Sequence, residues 1–155
     1  MKRKPLKRHP ALQGISREHH QALMLVFNLK KGLEKGIQPR RLSHYVRWFF
    51  EHYFERHLAA EESKIFPLLG NDHPLIKKAL EEHQVIQRHL KTELNSKNEL
   101  MVFAKLLENH IRFEERELFE VMQDQIDESM LLTAGERWEE TDFCLLYPDP
   151  FWQAY

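Results

Sequence analysis

Four long stretches of the chain carry apolar side chains at intervals of three and four residues, the period of a helix with one buried face. The first begins near Ser16, a residue suited to capping a helix, and runs to Gly36 and Pro39. Its apolar face reads Ile15, His19, Ala22, Leu23, Val26 and Leu33. The second starts at Pro39, an allowed first-turn position, and continues to Pro67; at about 1.5 Å per residue it would be about 40 Å long. Gly70-Asn71-Asp72 then turns the chain. The third opens at His73-Pro74 and runs to about Leu94, with Ile76, Leu80, His83, Ile86 and Leu90 on its stripe. After Asn95-Ser96-Lys97-Asn98, the fourth covers Glu99 to about Ile126, with Leu100, Phe103, Leu107, His110, Glu114, Leu118 and Val121 on one face. No strand-type alternation competes with these patterns. Long helices joined by short loops predict an all-α, up-down-up-down antiparallel four-helix bundle over residues 1–126, with a basic N-terminal arm.

Residues 127–155 follow a different pattern. Trp138, Phe143, Leu145, Leu146, Tyr147, Phe151 and Trp152 stand among Pro148 and Pro150, a segment too aromatic to lie in water without cost. It is expected to form a short helix near Met130 and then a C-terminal strap packed on the bundle. The alternative is a surface for a protein partner or for self-association.

Polar residues interrupt the apolar stripes in a repeated way. His57 and Glu61 lie one turn apart in HLAAEESKIFP, on a face that also carries Phe50, Tyr53, Phe54 and Ile65. His110 and Glu114 repeat the spacing in HIRFEERELF. A carboxylate buried on such a face costs several kcal/mol unless a positive group or metal accompanies it (about 3–5 kcal/mol when a partner is removed). Each of the other two helices adds a histidine on its stripe: His83 on the third and, on the first, His19 or His20. His19 shares the face of Ile15, Ala22 and Val26, whereas His20 lies about 100° further round, beside Leu23 and Phe27. His19 is therefore the preferred ligand, with His20 as the alternative or as a supporting histidine. A lone histidine on a helix is an ordinary core or surface residue. One from each of four helices, two of them followed by a glutamate, is a metal-ligand pattern. Imidazole nitrogen and carboxylate oxygen suit iron, and two irons close together need carboxylates that can bridge them. His9, His44, His52 and His73 read as surface or capping residues, and Tyr53 as a core aromatic. Glu62 and Glu115 read as solvated or as orienting a ligand histidine, with Arg56, Arg112 and Arg116 as their surface partners.

Composition narrows the partners. The 155 residues are 42% hydrophobic and 30% charged, an ordinary globular balance. With 23 basic and 24 acidic residues, the net charge of -1 offers no field for nucleic acid or an anionic membrane. The basic start, MKRKPLKR, lacks the apolar run of a secretory signal, and no stretch reaches transmembrane length. One cysteine, Cys144, leaves no internal disulfide framework. A cytoplasmic protein is expected.

REHHQAL, HLAAEESKIFP, EEHQVIQRHL and NHIRFEERELF together give the order H…HxxxE…H…HxxxE, and over about residues 12–122 the chain resembles the hemerythrin-like, or HHE cation-binding, domains. The resemblance implies a non-haem di-iron centre inside a four-helix bundle, with two Fe ions bridged by Glu61 and Glu114 and held by His19, His57, His83 and His110. It also implies a range of activities: oxygen carriage, sensing, peroxide or nitric oxide chemistry, and iron handling.

Two departures bear on that range. Oxygen carriers of the family place a second histidine four residues after the one on the third helix, where this chain has Gln87; His89 is six along and points elsewhere. Carriers also use a carboxylate five residues after the fourth-helix histidine, whereas here Glu114 stands at four and Glu115 at five. The expected function is a di-iron protein that reacts with or senses a small diatomic or peroxide ligand. Two alternatives are an interaction module whose metal centre is mainly structural, and a reversible oxygen carrier.

Overall fold

The computed structural model describes residues 7–92, 94–139 and 147–153. Among them are five helices, which we number α1 (Gln13–Glu34), α2 (residues 39–69), α3 (Pro74–Lys91), α4 (residues 97–125) and α5 (Glu128–Arg137). Short 3-10 turns at Pro10–Leu12 and Phe151–Gln153 complete the structure, and the described residues contain no strand.

The first four helices form an antiparallel bundle, and the cross-helix contacts show the direction of each. His19 lies by His57 and Asn28 by Tyr45, so numbers rise on α1 as they fall on α2. The same reversal relates Glu62–His83 and Arg47–Leu90 between α2 and α3, Lys78–Phe113 and Glu82–His110 between α3 and α4, and Ser16–Glu115 and Lys30–Glu108 between α1 and α4.

Helix ends follow local chemistry, with three departures from the sequence pattern. Helix α1 begins before Ser16, because the turn at Pro10–Leu12, capped by the His9 ring accepting from Ala11 N at 3.1 Å, already sets the helical direction. Ser16 instead donates to Glu115 at 3.0 Å. Helix α2 passes through Pro67 and ends at Gly70, whose φ of 97° lies in the left-handed region open to glycine. Pro67 is tolerated because a widened π turn over Glu61–Ile65 precedes it and places it in the first turn of a new α segment, where no N–H is needed. Helix α3 stops at Lys91 rather than Leu94; Arg47 of α2 takes its terminal carbonyls, donating to Leu90 O at 2.6 Å and Thr92 O at 2.5 Å. Ser96 and Asp127 cap α4 and α5 by accepting from Glu99 N and Ser129 N.

The core divides into two apolar clusters. One is built on Phe49, Phe50, Phe54, Phe103 and Leu107, the other on Leu12, Ile15, Phe66, Leu118, Phe119 and Leu131. Between them lies a layer of buried histidine and glutamate. The described parts of the C-terminal region rest on both clusters: α5 packs on the second through Leu131 and Ala134, while Tyr147, Phe151 and Trp152 surround Tyr45 at ring distances of 5.0, 5.2 and 5.0 Å. Arg41 donates to both oxygens of Asp149 at 2.9 and 2.7 Å. Phe143, Cys144, Leu145 and Leu146 lie outside the described residues, as do residues 1–6 of the basic arm. No helix among the described residues is long and apolar enough to cross a membrane.

Helix α5 docks against the Pro10–Leu12 turn through Gly135, where an added Cβ would stand 2.7 Å from Ala11 Cα and 2.8 Å from Ala11 O. Gly135→Ala should therefore destabilise the protein by about 1–2 kcal/mol in denaturant unfolding, although alanine is the better helix former. An unchanged or raised midpoint would contradict this close packing.

Candidate metal centre

His19 on α1, His57 and Glu61 on α2, His83 on α3, and His110 and Glu114 on α4 meet at one level of the bundle, all buried. His20 is exposed. The six side chains form two overlapping groups, His19-His57-Glu61-Glu114 and Glu61-His83-His110-Glu114, each with its ligand atoms within 4.8 Å of one another. Both glutamates belong to both groups.

The inward atoms are the imidazole Nε2 nitrogens. His19 Nε2 lies 3.1 Å from Glu114 Oε2 and 3.6 Å from Glu61 Oε2, and His57 Nε2 lies 3.1 Å from Glu61 Oε1. On the other side, His110 Nε2 is 2.8 Å from Glu114 Oε1, and His83 Nε2 is 3.4 Å from an oxygen of each glutamate. His83 Nε2 and His110 Nε2 are 3.1 Å apart. Two nitrogens at that distance cannot both point a proton at the other. It is, however, the separation of two adjacent donors on one metal at bond lengths of about 2.1 Å.

Each imidazole is backed at Nδ1 by a carboxylate from a neighbouring helix. Glu18 of α1 accepts from His57 at 2.9 Å, and Glu82 of α3 accepts from His110 at 2.8 Å. Glu62 of α2 stands 3.5 Å from His83 Nδ1, and Glu115 of α4 stands 3.5 Å from His19 Nδ1. The supports run α1 to α2, α2 to α3, α3 to α4 and α4 back to α1, a closed ring. An ionised carboxylate only accepts, so with neutral imidazoles the hydrogen bonds to Glu18 and Glu82 assign the proton to Nδ1 of His57 and His110 and turn their Nε2 lone pairs inward. Glu62 and Glu115 face the Nδ1 of His83 and His19 with their charge but without a hydrogen bond.

Electrostatics shows how far the charges of the layer offset its burial. Burial acts to lower the His19 pKa, but Glu114, Glu115 and Glu61 outweigh it and raise it well above 6.5. The same contest, with burial opposed by Glu114 and Glu61, pushes His83 up to about 10. His57 and His110 are raised as well, against burial, by their contacts with Glu61 and Glu18 and with Glu114 and Glu82. Burial and the nearby Glu114 would raise Glu61, yet His57 and His19 hold it down at about 2. Glu114 lies well below the carboxylate range, burial being overcome chiefly by His110.

Protons do not satisfy the layer. Both oxygens of Glu61 and of Glu114, with His19 Nε2 and His57 Nε2 on the inward side and His19 Nδ1 and His83 Nδ1 on the outward side, are buried without a hydrogen-bond partner. Unpartnered buried carboxylate oxygens are costly in a protein interior. Cations shared between the glutamates would satisfy the inward atoms of this set, and the nitrogen and oxygen donor set fits iron.

The structure brings together His19, His57, Glu61, His83, His110 and Glu114, and leaves His20 and Gln87 exposed. His9 and His73 cap helix starts, and His44 and His52 are exposed. Tyr53 packs edge-on to Trp48 at 5.3 Å. The arginine partners differ from expectation. Glu115 meets Arg8 at 3.5 Å and Ser16, because Lys7 and Arg8 lie beside α4, while Arg112 pairs with Glu108 one turn back. Sequence reasoning missed Glu18, Glu82 and Trp138, whose indole N–H donates to Glu18 Oε1 at 3.1 Å. For the two glutamates a signal existed: each directly precedes a ligand-type histidine, about 100° round the helix and so aimed at the next helix.

A family model for the hemerythrin HHE cation binding domain matches residues 11–122, a span that contains all six inward residues and all four supporting glutamates. No curated protein and no solved structure matched the chain.

The shifted groups set a pH window for the metal-free protein. The raised histidines stabilise the fold fully below 6.5, and that contribution is lost as pH climbs toward about 10. The lowered glutamates contribute fully above 4.5, and that contribution is lost as pH falls toward about 2. Thermal melts of chelator-treated protein should therefore peak between pH 4.5 and 6.5. Metal requires neutral imidazoles, so the stabilisation it adds should grow as pH rises. A metal-free melting temperature that climbs steadily into alkaline pH would refute this balance.

Proposed function

The chain belongs to the hemerythrin HHE cation-binding domain family, and from that premise we propose that its buried layer holds two iron ions, making it a non-haem di-iron protein that reacts with or senses oxygen, peroxide or nitric oxide. The observation that carries the proposal is the placement of Glu61 and Glu114, both fully buried, both with unpartnered oxygens, and both shared between two histidine pairs. His19 and His57 would hold one iron, His83 and His110 the other, and the two glutamates would bridge. When bound, the pair supplies reversible electron transfer and a coordination position for a small molecule. The protein's part is to keep the six donors fixed, each imidazole in one tautomer, inside a water-free layer.

The exposed Gln87 supplies no further imidazole, so the donor set has a larger share of anionic oxygen than that of a five-histidine carrier. Negative donors in a low-dielectric core favour the more highly charged metal state. This favours irreversible oxidation over reversible oxygen carriage.

Metal analysis of protein made in iron-replete cells should find two irons per chain. Glu61→Gln or Glu114→Gln should lose most of them, whereas Glu62→Gln and Glu115→Gln should retain metal with affinity weakened by about 10–100-fold. Well under one metal per chain after anaerobic reconstitution would sink the proposal. Retention in Glu114→Gln with loss in Glu115→Gln would move the bridge to the five-residue spacing.

Reactivity has its own test, an optical stopped-flow record after mixing reduced protein with oxygenated buffer. Oxidation within minutes, with no return of the reduced spectrum when oxygen is removed, is expected. Full recovery of the reduced spectrum would make this chain a reversible carrier.

A further inference from the structure

The four supporting carboxylates are not equivalent. The side chain of Glu18 is 3% exposed, against 37% for Glu62, 29% for Glu82 and 23% for Glu115. One of the partners of Glu18 comes from outside the stretch matched by the family model. Trp138, just past the end of α5, donates its indole N–H to Glu18 Oε1 at 3.1 Å, and the same oxygen accepts from His57 Nδ1 at 2.9 Å. The indole also stands edge-on to the His57 ring at 5.4 Å.

We propose that Trp138 is a positioning residue for the centre: through Glu18 it fixes the His57 imidazole and makes the His19/His57 position the more slowly exchanging of two metal positions. This rests on the two-iron reading above. Two donors converging on one carboxylate oxygen set its location more narrowly than one, and a carboxylate that cannot swing holds its histidine at one angle to the metal. The opposite pair lacks this cover. Its supports, Glu62 and Glu82, are both partly open to water, which competes for their oxygens, whereas on the His19/His57 side only Glu115 is.

The aim of Trp138 is itself built in. Asp127 caps the start of α5, Lys64 donates to Arg137 O at 3.0 Å at its end, and Gly135 sets it directly on the backbone of Ala11. The C-terminal region is thereby tied to a metal-ligand histidine through two hydrogen bonds that meet at Glu18 Oε1.

The test uses full-length protein loaded with cobalt(II), whose paramagnetism shifts the N–H protons of bound histidines out of the crowded NMR region. Trp138→Phe keeps the ring and removes only the donor. It should still bind two cobalt ions, release one of them to a chelator roughly tenfold faster than wild type while leaving the other unchanged, and shift or broaden one of the four exchangeable imidazole N–H signals. Gly135→Ala, which displaces α5 without touching the centre, should do the same and carries the comparison if Trp138→Phe does not fold. Trp48→Phe, in the aromatic cluster around Tyr147, should leave release and spectrum unchanged. Wild-type release of both ions from Trp138→Phe, or equal acceleration of both with all four signals moved, would overturn the positioning role. Fewer than two cobalt ions in the wild type would overturn the two-metal reading and this inference with it, whereas two ions in both proteins with identical release would overturn this inference alone.

Discussion

Two carboxylates without access to water are the constraint around which this molecule is arranged. Glu61 and Glu114 sit at 0% exposure in a core otherwise made of Phe, Leu and Ile, and charge in such a place is tolerated only beside opposite charge. Four imidazoles provide it, one from each helix of the bundle. Their need to converge on the same two glutamates fixes the rotation of every helix about its own axis. Apolar packing alone is far more permissive, since a helix turned by a fraction of a turn still buries leucine against leucine.

The ring of supporting carboxylates makes that rotation mutual. Glu18 and His19 are neighbours on α1 but serve different partners: one backs His57 and the other faces the glutamates. Glu82 and His83 repeat this on α3, and the pairs Glu61-Glu62 and Glu114-Glu115 repeat it on α2 and α4. Turning one helix therefore breaks a link on each side of it. The π turns that start at Glu61 and at Glu114 belong to the same arrangement, because each adjusts the phase of the helix just past the buried glutamate so that Phe66 and Phe119 return to the core.

Much of this was legible in the sequence, because the helical period and the histidines on apolar stripes report directly on which face is buried. His19 could be preferred over His20 from neighbours three and four residues away. What was not legible depended on distant contacts. Glu18 and Glu82 look like ordinary charged helix residues until the adjacent helix is in place, and Arg8 finds Glu115 only because residues 7–9 lie against α4. Trp138 read as a tail aromatic, since its partner lies far away in sequence. The early start of α1 and the passage through Pro67 were misjudged for a local reason: a turn already formed upstream changes what a serine or a proline does next.

The π turn after Glu114 amounts to one extra residue accommodated in α4 without disturbing the helix on either side. If the same extra residue were taken up one turn earlier, beginning at His110, Glu115 would rotate into the place Glu114 now holds, and everything from Phe119 onward would keep its present phase. Motifs in which the carboxylate follows the histidine by four or by five residues are thus two settings of one sliding defect. A lineage could pass from one to the other without an insertion or a deletion, at the cost of repacking only Ile111, Phe113 and Leu118.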